Sequence, residues 1–359
     1  MPKLFEPLSL RSLTLRNRIG VSPMCQYAAD DGSMNDWHLV HLGSRAIGGA
    51  GLIIAEATSV EPRGRITPGD AGLWDDKHIE PLARVARFVH QHGAALGVQL
   101  AHAGRKAGCA RPWEGAQQLP LDQGGWKTVG PSPIAFKEAH RVPAELSIAE
   151  IRQIQDDFVA AARRAHAAGV KLIELHAAHG YLAHSFLSPI SNHRTDEFGG
   201  SLDNRIRFVV STAERLREAW PSDLPLAVRI SATDWAEGGW TLDDSVYLAK
   251  RLRDIGVDAI DCSSGGSTLN AAMPAPYPGL QVPFADRIRK EAGIPTMAVG
   301  EITTPEHAES ILQDGRADII LLGREMLRDA YWPYHAAVRL GTPNAVPLPP
   351  NYAYWVQRT

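Results

Sequence analysis

An α/β fold of the (β/α)8 barrel type, with an insertion over its mouth, is predicted by three observations on the 359-residue chain. Short β-branched, apolar runs alternate with longer amphipathic ones, the pattern of a parallel sheet with crossover helices. Eight such runs occur, the number that closes a barrel. No Ser/Gly-rich or charged linker divides them, so one domain over residues 1–359 is expected rather than two. A doubly wound open sheet shares the alternation, but the strand count and the lack of G-x-G-x-x-G after the first strand weigh against it.

The expected strands are "RIGVSPM" (18–24), "GLIIAEATSV" (51–60), "ALGVQLA" (95–101), "VKLIELHAA" (170–178), "PLAVRIS" (225–231), "DAIDCSS" (258–264), "IPTMAVG" (294–300) and "ADIILLG" (317–323). Between the third and fourth strands, "SIAEIRQIQDDFVAAARRAHAAG" begins with a capping box of Ser147 and Glu150 and stops at Gly169. Its apolar face carries Ile151, Ile154, Phe158 and Ala165. "TLDDSVYLAKRLRDIG" and "TTPEHAESILQDG" repeat the scheme, the second with Pro305 just inside the helix start. The Gly-, Pro- and Trp-rich segment 105–143 is the one long interruption and is expected to shape access to the barrel mouth. Residues 344–359 form a C-terminal tail.

Composition narrows the function classes. A formal net charge of −3 leaves no basic field for a nucleic-acid backbone, and no Lys/Arg run makes a local one. The first residues lack the apolar core of a signal peptide and no apolar run reaches membrane-span length, so a cytoplasmic protein is expected. Cys25, Cys109 and Cys262 are far apart, against a disulfide framework, a zinc knuckle or an iron–sulfur cluster. Redox chemistry would need an organic cofactor.

Strand parity sorts the polar residues. With Val98, Leu100, Ile173, Leu175, Val228 and Ile230 facing the helices, Gln99, Glu174, His176 and Arg229 face the barrel interior. Each unsatisfied buried polar group costs roughly 1–3 kcal/mol, so these residues satisfy one another or a polar ligand satisfies them. The ligand is preferred, since they lie toward the C-terminal strand ends where barrel active sites are built. Gly300 and Gly323, ending the seventh and eighth strands, with Arg324 following, point to a phosphate. The H-x-x-H pair His176 and His179 with Glu174 leaves open a metal-dependent hydrolase, although no further His/Asp cluster supports it and no metal is expected.

Three long stretches, "LFEPLSLRSLTLRNRIGVSPMCQY", "HAAHGYLAHSFLSPISNHRTDEFGGSLDNRIRF" and "GRADIILLGREMLRD", resemble the old yellow enzymes, flavin-dependent ene-reductases, and within them the bacterial thermophilic-like branch. The resemblance spans almost the whole chain. It implies non-covalent flavin mononucleotide (FMN), NADPH or NADH as hydride donor, and reduction of activated alkenes, α,β-unsaturated carbonyl or nitro compounds, by a ping-pong hydride transfer. It implies that Ser22, Pro23, Met24, Cys25 and Ala57 lie beside the flavin ring, that Gln99 meets its pyrimidine edge, and that Arg229 stabilises its anionic reduced form. Gly300, Gly323 and Arg324 would hold the phosphate. His176 and His179 would grip the substrate's carbonyl or nitro oxygen, which requires a chain turn between them; Tyr181 would protonate the α-carbon and Tyr27 would touch substrate. Cys25 is expected to tune the flavin's potential without acting as a nucleophile. In this branch a tail residue of a neighbouring subunit reaches the active site, and Trp355 or Arg358 matches by position, which implies a homodimer or a dimer of dimers.

Overall fold

The computed structural model describes residues 1–356. Eight parallel strands close into a barrel: β1 Ile19–Val21, β2 Leu52–Ser59, β3 Ala95–Ala101, β4 Leu172–Ala177, β5 Leu226–Ser231, β6 Ala259–Ser263, β7 Thr296–Ala298 and β8 Ile319–Leu322. β8 pairs with β1 through Ile320 opposite Ile19, which closes the ring. Number and order match the sequence expectation, but most strands are shorter. The stretch Ser22–Met24, expected as strand, leaves the sheet after Val21 and forms the rim of the mouth instead.

Helices α1 Asp36–Ile47, α2 Ile79–Gln91, α3 Ile148–Ala167, α4 Leu182–Leu187, α5 Leu202–Ala219, α6 Leu242–Asp254, α7 Val282–Ala292 and α8 Pro305–Gln313 follow the successive strands, two of them after β4. In α3 the Ser147 Oγ accepts from the Glu150 N–H at 3.3 Å while Glu150 Oε2 accepts from the Ser147 N–H at 2.9 Å, closing the capping box. Ile151, Ile154, Phe158 and Ala165 are all buried against the barrel. Ile151, Ile154 and Phe158 each contribute roughly 1.5–3 kcal/mol by leaving water. Pro305 is the first residue of α8, where its missing N–H costs nothing. No described helix is long and apolar enough to cross a membrane.

The interior is layered. Leu52, Ile54, Leu172, Met297, Ile319 and Leu321 point inward at the lower end and meet Leu10 and Leu15 of a short antiparallel hairpin, Leu8–Leu10 with Leu13–Leu15, which plugs the barrel floor. Val98, Leu100, Ile173, Leu175, Val228 and Ile230 belong to the outer core shared with the helices. By alternation Gln99, Glu174, Arg229 and Asp261 stand inward, one layer above the apolar plug.

Segment 105–143 is held by specific contacts. Its residues form three single-turn 3-10 segments and a strand Val129–Gly130 paired in parallel with Ala144–Glu145. Arg65 lies between the Trp74 and Trp126 rings, 5.2 and 5.0 Å from their centroids. The motif 192–205 after α4 is also built for structure: Asn192 Nδ2 donates to the carbonyls of Phe186 and Phe198, both at 2.7 Å, and Arg194 Nη1 donates to those of Pro131 and Leu146 at 3.0 and 2.7 Å.

Candidate active site

The polar layer partly satisfies itself and leaves part of its hydrogen-bonding capacity open. Gln99 and Glu174 are register partners, and Gln99 Nε2 donates to Glu174 Oε1 at 2.7 Å. Arg229 and Asp261 are likewise register partners, with Nε 3.0 Å from Oδ2. Asp261 was legible from the same alternation in "DAIDCSS", since Ile260 and Cys262 face the helices, but it was not singled out. Burial pushes both carboxyls upward, Glu174 further through Asp261, while Arg229 pulls the other way. Two carboxyls thus share one guanidinium. The pairing is incomplete: Glu174 Oε2 is buried without a hydrogen-bond partner in the chain, and the Arg229–Asp261 contact is an ion pair without hydrogen-bond geometry.

Above this layer β4 ends at Ala177 and the chain turns. His179 adopts a left-handed φ of 60° and Gly180 one of 72°, so the side chains of residues three apart converge. The His176 and His179 rings lie 5.2 Å apart, edge to face, and His176 and Tyr181 5.1 Å apart. The turn is braced on three sides. Ser231 Oγ accepts from the His179 N–H at 2.9 Å, His184 Nδ1 accepts from the Gly180 N–H at 2.8 Å, and Ser263 Oγ lies 2.7 Å from His179 Nε2. Burial, with Arg229 adding to it, lowers both site histidines far below the usual imidazole range, so they are neutral at pH 7. The Ala178 N–H donates to His176 Nδ1 at 3.2 Å, which puts the His176 proton on Nε2 and makes that nitrogen a donor. Burial raises Tyr181 well above the ordinary phenol, so it keeps its proton. Sequence reading missed Ser231 and Ser263, because serines at strand ends carry no signal without their neighbours' positions.

The loop after β1 forms the opposite rim. Cys25 lies in hydrogen-bond contact with Tyr27 and the Ala57 backbone, and burial together with Asp70 and Glu56 drives its thiol well above the normal value. It is therefore a thiol, with negligible thiolate at neutral pH. Tyr27 has a left-handed φ of 53° and its carbonyl accepts from Arg111 Nε at 2.9 Å. Glu56, at the bulge of β2, accepts from the Gln26 N–H and lies 3.2 Å from His38 Nε2, which fixes the loop from behind.

The remaining sites lie around the ends of β7 and β8, where a cavity of about 340 Å³ is lined by Val299, Gly300, Leu321, Gly323 and Arg324 among others. Arg324 is exposed and pairs with Glu301, which lines the same cavity, so a carboxylate competes there for its guanidinium. Ser22 Oγ is buried at the neighbouring strand end with no partner in the chain. The residues fit FMN on these observations: unpartnered buried polar atoms at Ser22 and Glu174, and a glycine-lined recess with an arginine at its edge. Cys25, Ala57, Gln99 and the two histidines do not line that recess; Ala57 and Tyr181 border a separate narrow void with Asp70. Trp355 belongs to a helix over Pro350–Val356, and Arg358 lies outside the described residues. Among the described residues no group of three His, Cys, Asp or Glu side chains is arranged to hold a metal.

Residues 3–342 match the NADH:flavin oxidoreductase / NADH oxidase family. The NADPH dehydrogenase of Geobacillus thermodenitrificans (strain NG80-2) is 49% identical over 350 residues, covering 96% of each chain. That of Bacillus subtilis (strain 168) is 46% identical over 352 residues, covering 98% of each. Among solved structures, morphinone reductase in complex with tetrahydroNAD aligns with a TM-score of 0.80 and 28% identity over 95% of this chain and 92% of that one. The old yellow enzyme homologue from Zymomonas mobilis aligns with a TM-score of 0.78 and 27% identity over 98% of each. A closed eight-stranded barrel, a site suited to a flavin and full-length similarity together make this chain a member of the NADH:flavin oxidoreductase / NADH oxidase family, an old yellow enzyme-like, NAD(P)H-dependent oxidoreductase that uses FMN.

Proposed function

We propose that the enzyme reduces the C=C bond of α,β-unsaturated carbonyl compounds, and of nitroalkenes, by a ping-pong sequence in which nicotinamide and alkene use the same face of the site in turn. The observation that carries this is the cluster at the end of β4: two neutral imidazoles and a protonated phenol within about one ring's width of each other. FMN held there would supply the two-electron chemistry that couples oxidation of the nicotinamide to reduction of the alkene. Gln99 and Arg229 would hold the polar edge of the ring, Ser22, Pro23, Met24, Cys25 and Ala57 would lie along it, and Gly300, Gly323 and Arg324 would receive the phosphate. His176 and His179 grip the substrate oxygen, His176 through its Nε2–H. Hydrogen bonds to that oxygen draw density from the β-carbon and stabilise the negative charge that develops on oxygen. Tyr181 then gives its proton to the α-carbon, and Tyr27 contacts substrate from the opposite rim.

Product analysis tests this reading. NADPH-dependent turnover of cyclohexenone is expected to yield cyclohexanone, one molecule per NADPH consumed; formation of the allylic alcohol, or no organic product, would exclude it. A second copy completing the site through the C-terminal tail is proposed alongside. A dimeric mass in solution, with removal of residues 350–359 changing the KM for the alkene, is the expected result. A fully active monomer would remove it.

A further inference from the structure

Lys106, at the head of the segment after β3, has no part in the roles described above. Its ammonium reaches across the barrel mouth, where Nζ donates to the carbonyl of His179 at 2.8 Å and to that of Gly266 at 3.1 Å. It also stands 4.3 Å from the centroid of the Phe136 ring and 5.1 Å from that of Tyr181. A single charge therefore touches both the turn that carries His179 and the phenol of Tyr181. The turn needs such a support. A non-glycine residue at φ 60° occupies a sparsely populated conformation that persists only when its surroundings enforce it. Here two backbones lie in direct contact: a Cβ on Gly266 would fall 2.6 Å from His179 Cα, and one on Gly180 would fall 2.2 Å from the Gly266 oxygen. Lys106 supplies one donor to each side of that contact.

We propose that Lys106 is a positioning residue for alkene reduction, clamping the His179 turn to the loop after β6 and holding positive charge against the Tyr181 ring so that the phenol releases its proton. A cation beside a phenol favours its deprotonated form and so lowers the cost of proton transfer. The inference rests on Tyr181 being the acid of the proposed reaction.

The two roles separate with pH. Burial, with Arg105 acting in the same direction and Cys109 against it, lowers the Lys106 ammonium to about 8. His140, His176 and His179 also face it, and Lys106 helps keep all three imidazoles neutral. Below that pH the charge is present. Above it the amine still donates to both carbonyls but no longer polarises Tyr181.

The test is anaerobic stopped-flow kinetics on the FMN-loaded enzyme, with NADPH reduction and cyclohexenone-driven reoxidation measured separately from pH 6 to 10. In the wild type, reoxidation is expected to slow about tenfold through an inflection near pH 8, while reduction by NADPH lacks that inflection. Lys106→Met should be slowed about tenfold at pH 7 with no inflection near 8. Lys106→Arg, permanently charged, should retain most of the rate and also lose the inflection. A wild type without the inflection overturns the inference without recourse to any variant. So does a Lys106→Met enzyme whose reoxidation profile matches the wild type, or one in which both half-reactions slow equally. If cyclohexenone fails to reoxidise the wild type at all, the proposed alkene chemistry falls first and the inference with it.

Discussion

Replacing Arg229 by Met removes the cation that two buried carboxyls share. Arg229 Nε lies 3.0 Å from Asp261 Oδ2, and the two side chains are 8% and 0% exposed. Breaking a buried pair by deleting one partner costs about 3–5 kcal/mol, because the remaining charge stays desolvated. The loss should depend on pH in a definite direction. Burial already raises the Asp261 and Glu174 carboxyls above their unfolded values, and Arg229 opposes that rise. Without it both move higher, so the folded chain holds protons that the unfolded chain has released. Stability then falls as pH rises through that window, by about 1.4 kcal/mol per pH unit for each extra proton held. The difference between wild type and Arg229→Met should therefore be small near pH 6 and grow by about 2–3 kcal/mol toward pH 8. Urea denaturation of protein stripped of flavin, at both pH values, measures it free of lost flavin affinity. A loss of the same size at both pH values would refute the shared-guanidinium account.

Three further outcomes follow from the site. His176→Ala should keep its FMN and its reduction by NADPH but lose about 100-fold or more in reoxidation by cyclohexenone, the usual cost of one missing oxyanion donor; unchanged reoxidation would remove His176 from the site. Cys25→Ala should still be reduced by NADPH, with a shifted flavin potential, since burial keeps the thiol protonated; abolished reduction would show that the sulfur does more. Gly300 has φ 117° and a Cβ there would meet Gln281 Nε2 at 2.9 Å, so Gly300→Ala should cost roughly 1–3 kcal/mol in unfolding and weaken FMN binding in a fluorescence titration. Unaltered binding would place the phosphate elsewhere.

The fold was legible because its signals are local and repeated. Eight apolar runs and their parity sufficed to put Gln99, Glu174 and Arg229 inside the barrel, since alternation along a strand is fixed by backbone geometry. The same rule would have found Asp261, and with it the ion pair to Arg229. What periodicity does not carry is the mouth. Lys106 meets His179 and Gly266 across 73 and 160 positions of chain, and Ser263 meets His179 across 84. The insertion owes its shape to Arg65 between two tryptophans and to backbone carbonyls held by arginines, and a composition rich in Gly and Pro specifies neither. The turn at His179 was inferable as a necessity from the proposed convergence, but the Ser231, His184 and Lys106 contacts that hold it were not.

The central claim, that FMN in this barrel passes hydride from NADPH to an activated alkene, is tested most directly by the visible spectrum of the purified protein under anaerobic conditions as NADPH and then cyclohexenone are added. A flavin band that bleaches with NADPH and returns with cyclohexenone is the predicted result. A band that bleaches and stays bleached after cyclohexenone would contradict the alkene chemistry while leaving the flavin oxidoreductase intact.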